Sequence, residues 1–243
     1  MKASILFGPP GCGKTFAAEM RAKELAATLV EYQFHEWTDA DELFVGVNVQ
    51  AAVAGQPENV WQPGVLAVAA EKSQEGKVVL LLDELDKASE RAEYLLLGFL
   101  QSGKVPTKPG QHLQASLDNI EVIITSNEIR PHSDALLRRC RRVFMSPIGD
   151  TKIKEILTAN FHRLEEKTVA AIWAAAQEIA HYEGNNSLSV QEGKHLIEEL
   201  LSATSYEQCK NAFAGWAART REGYEYALGR AKKTSTAWAK ISQ

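Results

Sequence analysis

The chain has 243 residues, enough for one large or two small domains with a substantial core. Its net charge of −4 gives no general reason to expect nucleic-acid binding, and no apolar run approaches the length of a membrane span. Three cysteines stand apart without a C-x-x-C pair, which argues against a disulfide framework or a zinc site. The N-terminus also lacks the pattern of a signal peptide, so we expect a cytoplasmic protein without a membrane contact.

The first predicted elements are a strand, a glycine-rich loop and a helix. The apolar run Ser4–Phe7 predicts a buried strand, and Thr15–Ala27 has a helical pattern. The loop between them fits the phosphate-binding pattern G-x-x-x-x-G-K-S/T and reads Gly8-Pro9-Pro10-Gly11-Cys12-Gly13-Lys14-Thr15. Glycines let backbone N–H groups turn toward phosphates at a helix N-terminus. The motif predicts a nucleotide-binding site made of this loop and Phe16; the alternative is a glycine-rich turn without a ligand.

Two side chains of the loop have specific expected roles. Lys14 is expected to reach the β- and γ-phosphates, where it would also act in catalysis. The Thr15 hydroxyl is expected to ligate Mg²⁺.

Strands and helices alternate along the following part of the chain. Apolar runs predict strands at Leu29–Phe34, Val78–Leu82 and Ile120–Thr125, with Arg142–Met145 as a fifth candidate. Helical patterns occur at Val65–Glu71, Arg91–Gln101 and Ser133–Leu137. This alternation predicts an α/β fold with a P-loop NTPase parallel sheet, covered on both faces, whose ligand lies at the carboxyl ends of the strands.

The pattern changes at Ser146-Pro147-Ile148-Gly149-Asp150, beyond which only helical periodicity is found. The predicted helices are Thr151–Phe161, Thr168–Tyr182, Val190–Ala203, Tyr206–Arg219 and Glu222–Lys233. We therefore expect an α/β nucleotide-binding domain over residues 1–149 and a small all-α domain over residues 150–243. The basic and aromatic end, which includes Lys233 and Trp238, is expected to be a solvated helix end and tail; the alternative is a nucleic-acid contact.

Two carboxylates follow the strand Val78–Leu82. Asp83 is expected to hold Mg²⁺ as a hard oxygen ligand, and Glu84 to act as the general base on the attacking water. The alternative is a surface pair that caps the next helix.

Asn127 follows another apolar strand, Ile120–Thr125, and is expected to orient the attacking water against the γ-phosphate. The alternative is an Asx turn at the end of the strand.

Four arginines lie within five residues and cannot all point inward; they are Arg138, Arg139, Arg141 and Arg142. An arginine that reaches the γ-phosphate of another subunit would stabilise transition-state charge. The alternatives are a solvated basic face and a nucleic-acid contact.

Together these four elements resemble the AAA+ ATPases. Gly8–Thr15 is similar to Walker A, Leu80–Glu84 to Walker B, Asn127 to sensor 1 and Arg138–Arg142 to the arginine-finger region. The resemblance implies hydrolysis of ATP with Mg²⁺, with Arg139 as the finger and Arg138 as the next candidate. It also implies a homo-oligomeric ring, expected to be a hexamer, in which residues 150–243 form the lid.

Within AAA+, the MoxR-like branch is the most similar. Trp37–Gly46 followed by Trp61–Leu66 resembles its helix-2 insert, and Val105–Asn119 is expected to form a hairpin before sensor 1. Both inserts would face the pore of the ring; the alternative is a pair of ordinary surface loops. The resemblance implies a motor or chaperone that remodels a protein partner, with a von Willebrand factor A-type protein as a companion.

The chain departs from the AAA+ pattern at both ends. It begins at the first strand, so we expect no N-terminal recruiting domain. We also expect that recognition of adenine, and thus the preference for ATP over GTP, depends on the lid or another element. In Ser187–Gln191, Gln191 stands where the sensor 2 arginine is expected, and a neutral amide cannot replace that charge. The candidates to replace it are Arg219, Arg221 and Arg230.

Two other functions stay open. One is a nucleic-acid-directed motor or loader, similar to McrB-like proteins or clamp loaders, which the arginine cluster and the basic tail favour. The other is a nucleotide-gated scaffold with little turnover, against which Glu84 and Asn127 argue.

Overall fold

The computed structural model describes residues 1–108, 110–184 and 188–231. The chain divides into two units, Met1–Ser146 and Pro147–Gln243. Ser187 and the predicted basic tail beyond Ala231 lie outside the described residues.

Five strands of the first unit lie close to the positions predicted for strands. Its strands are β1 Lys2–Phe7, β2 Thr28–Gln33, β3 Val45–Val47, β4 Trp61–Pro63, β5 Val78–Asp83, β6 Lys104–Lys108, β7 Gln111–Gln114, β8 Ile120–Ser126 and β9 Arg141–Phe144. Five of them form a parallel sheet in the order β2-β5-β8-β1-β9. The predicted α/β P-loop NTPase sheet is therefore confirmed, including its fifth strand.

Helices cover both faces of this sheet. They are α1 Lys14–Glu24, α2 Ala40–Leu43, α3 Val49–Val53, α4 Val65–Glu75, α5 Glu90–Ser102 and α6 Asp134–Leu137. Ala18 and Ala22 of α1 pack against Leu6 and Val79 on one face. The larger core lies on the other face. Because both faces are covered, β5 carries a nearly continuous apolar run instead of an alternating pattern.

Two antiparallel hairpins lie outside the main sheet. One pairs β3 with β4 and contains α3 in its connection. The other pairs β6 with β7 and precedes β8. The hairpin predicted over Val105–Asn119 is therefore present, and a second hairpin lies within the segment from Trp37 to Leu66.

The described regular elements of the second unit are all helical. They are α7 Asp150–Asn160, α8 Glu166–Tyr182, α9 Val190–Ser202, α10 Tyr206–Ala217 and α11 Arg221–Ala231. Trp173, Leu157 and Phe213 lie in their shared core. A capping box between Ser189 and Glu192 begins α9. None of the helices in residues 1–108, 110–184 and 188–231 is both long and apolar enough to cross a membrane.

Candidate nucleotide-binding site

The glycine-rich loop leaves the carboxyl end of β1 and turns directly into α1. A Cβ at Gly8 would lie 2.5 Å from the carbonyl oxygen of Met145, so no larger residue fits there without a backbone shift. Gly13 caps α1 with a φ of 90°, a left-handed conformation that glycine adopts at low cost. The loop is thereby held at the edge of the sheet where parallel strands present their ligand-binding residues.

Lys14 supplies the positive charge of the loop. Its side chain is buried, and its Nζ donates hydrogen bonds to the carbonyl oxygens of Gly8 at 2.8 Å and Pro9 at 3.0 Å. It also donates to Asn127 Oδ1 at 2.7 Å. These partners are uncharged, and Lys14 forms no ion pair among the described residues. A buried ammonium without a counter-charge is electrostatically costly, so this position strongly favours an anion such as phosphate.

Thr15 and Asp83 lie together beside this ammonium. The Thr15 hydroxyl is 3.3 Å from both carboxylate oxygens of Asp83. Thr125 donates to Asp83 Oδ1 at 2.6 Å and so orients the carboxylate. A hydroxyl and a carboxylate are hard oxygen donors that suit Mg²⁺, which keeps several water and phosphate ligands. No group of three or more His, Cys, Asp or Glu residues that could hold a metal ion occurs in the described part of the chain.

Glu84 is held by three donors in a strained backbone conformation. Its φ is 57°, a left-handed value that is uncommon for a residue with a side chain. Its carboxylate accepts hydrogen bonds from Gln33 Nε2 at 2.7 Å and Lys87 Nζ at 2.6 Å. Burial raises the pKa of Glu84, but the hydrogen bonds from Lys87 and Gln33 outweigh it and leave the pKa below its ordinary value. Glu84 is therefore ionised at neutral pH, as a proton acceptor must be.

Asn127 joins the lysine to the glutamate. Its Oδ1 accepts from Lys14, and its Nδ2 donates to Glu84 Oε1 at 3.3 Å. Its backbone N–H donates at 2.9 Å to Asp86, a buried carboxylate that also accepts from the N–H of Ile129. The structure thus brings Lys14, Glu84 and Asn127 into one hydrogen-bonded chain, and the orientation of water by Asn127 stays a prediction.

Three residues that position these groups were not found from the sequence. Gln33 and Lys87 bind Glu84, and Thr125 accepts from the Glu84 N–H at 2.8 Å while it binds Asp83. One signal was available, because Thr125 is a polar residue near the end of an otherwise apolar strand. Phe16 lies next to Thr15 and is 61% exposed, which leaves its ring available to a ligand.

The arginine cluster makes no hydrogen bond to this site within the described residues. Arg139 is exposed, but it donates to the carbonyl oxygen of Ala135 at 2.8 Å and to Gln101 Oε1 at 3.0 Å. Arg138 is exposed as well, and its side chain forms no hydrogen bond or ion pair with any described residue. Of the two predicted finger candidates, Arg138 therefore has the less constrained side chain.

The sensor 2 candidates of the second unit all have acidic partners. Arg219 binds Glu192 at 2.9 Å, and Arg221 binds Glu225 at 3.1 Å. Arg230 forms an ion pair with Glu178. Gln191, at the predicted sensor 2 position, bonds to His195 at 2.9 Å.

The sheet, the phosphate loop and the carboxylates define the class of this protein as a P-loop ATPase domain. Its family is the AAA domain of the dynein-related subfamily, whose model matches residues 3–140 of the 243 in the chain. The chain belongs to this family, and the prediction of an AAA+ ATPase is confirmed at that level.

Similar proteins agree with this assignment. The chain is 30% identical over 147 residues to a proteasome-associated ATPase of Rhodococcus erythropolis, covering 56% of the chain and 24% of that protein. It is 26% identical over 231 residues to the proteasome-associated ATPase of Mycobacterium tuberculosis, covering 87% of the chain and 34% of that protein. The chain thus spans about a quarter to a third of these curated relatives.

Solved structures share the fold. Two mutants of Thermotoga maritima RuvB match 95% of the chain and 62% of their own chains, with TM-scores of 0.52 and 0.55. Their sequence identities are 15% and 14%, so they support the architecture alone.

Proposed function

We propose that this chain hydrolyses ATP as a MoxR-like AAA+ motor or chaperone that works in a ring of copies and remodels a protein partner. The observation that carries the proposal is the buried Lys14 ammonium, whose partners in the loop are all uncharged. We assign nucleotide binding to residues 1–149 and the role of lid to residues 150–243.

Nucleotide binding would use groups that already converge on the loop. Phosphate oxygens would replace the carbonyl oxygens around Lys14, giving the ammonium the negative charge that it lacks. Thr15 and Asp83 would hold Mg²⁺, which when bound neutralises charge on the phosphates. The exposed ring of Phe16 offers an apolar surface to the remainder of the nucleotide. Selection of ATP over GTP stays a prediction.

Hydrolysis would use Glu84 and Asn127. The ionised Glu84 carboxylate takes a proton from water as the water oxygen attacks the γ-phosphorus and the bond to the β–γ bridging oxygen breaks. Asn127 lies within hydrogen-bond distance of both Glu84 and Lys14, a position from which its amide can hold that water. Lys14 then stabilises the charge that develops on the leaving phosphate oxygens.

A neighbouring copy would supply the arginine. The exposed guanidinium of Arg138 has no partner among the described residues, and Arg139 is bound only to uncharged groups of its own chain. Either arginine is thus available to another copy's phosphate. Such a head-to-tail site is completed in every copy when the copies close into a ring, and we propose a hexamer.

A protein is the favoured substrate. The similar curated proteins are named as proteasome-associated ATPases. The β3–β4 hairpin also exposes three apolar side chains, Val47, Val49 and Val53, which suit contact with a polypeptide better than with phosphates. A von Willebrand factor A-type companion and a cytoplasmic location stay predictions.

A nucleic-acid-directed motor is the second candidate, since the exposed arginine cluster could bind phosphates. Duplex or single-stranded DNA that raises ATP turnover with a steep salt dependence would favour it. A chain that binds ATP but shows no turnover under any of these conditions would instead be the nucleotide-gated scaffold.

The proposal is tested at Lys14. The substitution Lys14→Met removes the ammonium but keeps the apolar stem, so we expect nucleotide affinity, measured by titration calorimetry, to fall by at least about 100-fold. Because a costly buried charge is removed, we also expect the free energy of unfolding without nucleotide to rise by roughly 1 kcal/mol.

Lys23→Met is the matched control, since Lys23 is an exposed lysine of the same helix. It should change neither quantity. Unchanged nucleotide affinity in Lys14→Met would refute the assignment of the loop.

A further inference from the structure

A buried carboxylate outside the hydrolytic site forms the centre of a second polar network. Glu93 lies on α5 and is 2% exposed. Its Oε2 is 3.1 Å from both Arg130 Nη1 and His132 Nδ1, and its Oε1 accepts from the Ser133 N–H at 2.7 Å. Burial raises the pKa of Glu93, but hydrogen bonds from His132, Ser133 and Arg130 outweigh it and bring the pKa to about 2. A charge so deeply buried is retained only where its partners are fixed in place.

Arg130 connects this network to the turn that follows Glu84. Its Nε donates to the carbonyl oxygen of Ala88 at 3.0 Å, and its Nη2 donates to that of Leu85 at 3.3 Å. These two carbonyls bracket the single 3₁₀ turn directly after Glu84. A displacement of that turn must therefore move Arg130 or break its hydrogen bonds.

His132 connects the same network to Asn127. Its Nε2 is 2.8 Å from Ser126 Oγ, and Ser126 is the fully buried residue just before Asn127. The two ring nitrogens of His132 thus bridge Glu93 and the end of β8.

Ser133 connects the network to the helix that precedes Arg138 and Arg139. It caps α6, and its Oγ accepts from the Leu136 N–H at 3.3 Å. α6 ends at Leu137, immediately before Arg138 and Arg139. Arg139 also binds Gln101 of α5, so the segment is attached to α5 at both of its ends.

We infer that Glu93, Arg130 and His132 are positioning residues that join the hydrolytic centre of one copy to the arginines which that copy presents to its neighbour. The inference rests on the proposed function, in which those arginines act on another copy's phosphate. The network contacts the turn after Glu84, the residue before Asn127 and the cap of α6 through hydrogen bonds. Because a buried, hydrogen-bonded charge network resists distortion, a shift at the hydrolytic centre is passed to α6 instead of being absorbed.

A mixing experiment on the full chain tests this. The donor is Glu84→Gln, which keeps its arginines but lacks the base; the recipient combines Arg138→Ala with Arg139→Ala and keeps the base. Neither should hydrolyse ATP alone, and their mixture should recover turnover wherever a donor's arginine meets a recipient's nucleotide. Glu93→Gln is then added either to the donor or to the recipient.

We expect Glu93→Gln in the donor to lower the recovered turnover about tenfold or more, because a misplaced arginine loses most of its effect. The same substitution in the recipient should lower the recovered turnover by less than about threefold. There the base Glu84 keeps its contact with Thr125, and Asn127 keeps its contact with Asp86. A general loss of stability would lower turnover equally in both positions. Equal losses, or no loss in the donor, would overturn the inference.

Two further variants keep the test decisive. Arg130→Lys retains the charge but loses the fork that reaches two carbonyls, and it should repeat the donor-specific loss even where Glu93→Gln does not fold. Glu121→Gln breaks the ion pair with Arg21, a comparable contact at 3.0 Å outside the network, and should show no donor-specific loss. If the parental mixture recovers no turnover, the shared site is wrong and the inference falls with it. If that mixture recovers turnover but the donor variants behave normally, only the inference fails.

Discussion

Glu84 and Glu93 are two carboxylates of one unit, both held below their ordinary pKa, in opposite kinds of surroundings. The Glu84 side chain is 21% exposed, and its cationic partner Lys87 is 45% exposed. The side chains of Glu93 and His132 are only 2% exposed, and the side chain of Arg130 is 21% exposed. A partner on a flexible, hydrated side chain can be exchanged during a reaction, whereas a buried set of partners cannot. The comparison therefore separates a carboxylate whose surroundings suit the proposed reacting group from a carboxylate whose surroundings hold it in place.

The largest expected effect is on turnover and distinguishes the reacting carboxylate. Glu84→Gln should lower the rate of ATP hydrolysis by about 10²–10⁴ because the proton acceptor is lost. Nucleotide affinity should be kept, since Lys14, Thr15 and Asp83 are unchanged. Phosphate release and nucleotide titration measure the two quantities, and a variant that turns over normally would remove Glu84 from the catalytic role.

The next largest expected effect is on stability and concerns Glu93, the carboxylate that is held in place. Glu93→Gln removes the buried anion that pairs with the half-buried Arg130, so the free energy of unfolding should fall by about 3 kcal/mol in a denaturant titration. Glu121→Gln breaks a more exposed pair and should cost about 1 kcal/mol or less. If the two variants proved equally stable, burial of Glu93 would not be the relevant difference.

A smaller expected effect of Glu93 is on how the free energy of unfolding depends on pH. The folded pKa of Glu93, about 2, lies below the ordinary glutamate value of 4.5, so its contribution to stability is complete above pH 4.5 and is lost as the pH falls toward 2. Unfolding measured across this window should show a flatter pH dependence in Glu93→Gln than in the unsubstituted chain. Parallel curves would contradict the low pKa.

The smallest effect concerns the exchangeable partner of Glu84. Lys87 lowers the pKa of Glu84, so Lys87→Met should raise it and shift the acidic limb of the turnover profile to higher pH. Lys77→Met is a suitable control, because Lys77 is an exposed lysine beside the opposite end of β5. An unmoved limb would mean that Lys87 does not bind Glu84 during turnover.

The sequence was sufficient for the sheet and for the residues that its strands deliver. Apolar runs located all five strands, and parallel strands necessarily place Asp83, Glu84 and Asn127 at one edge beside Lys14. Local motifs identify such residues because both the spacing and the residue types are fixed by phosphate chemistry.

Residues that act through register or long-range packing were not predictable in the same way. Gln33 binds Glu84 because β2 pairs with β5 so that Gln33 lies opposite Asp83, and the sequence does not specify that pairing. Glu93 and His132 meet across a separation of 39 positions, without any local pattern that links them. Their contact depends on how α5 packs against the segment after β8, which is a property of the assembled core.

The two hydrogen bonds of the Asn127 side chain bear on when its amide can move. Its oxygen is bound by Lys14 and its nitrogen binds Glu84, so a single planar group is clamped between a cation and an anion. In the proposed function, a phosphate that binds the Lys14 ammonium would release the oxygen end and leave the amide free to turn. Nucleotide binding would then free the side chain that is proposed to hold the attacking water, and without nucleotide that side chain stays bound at both ends.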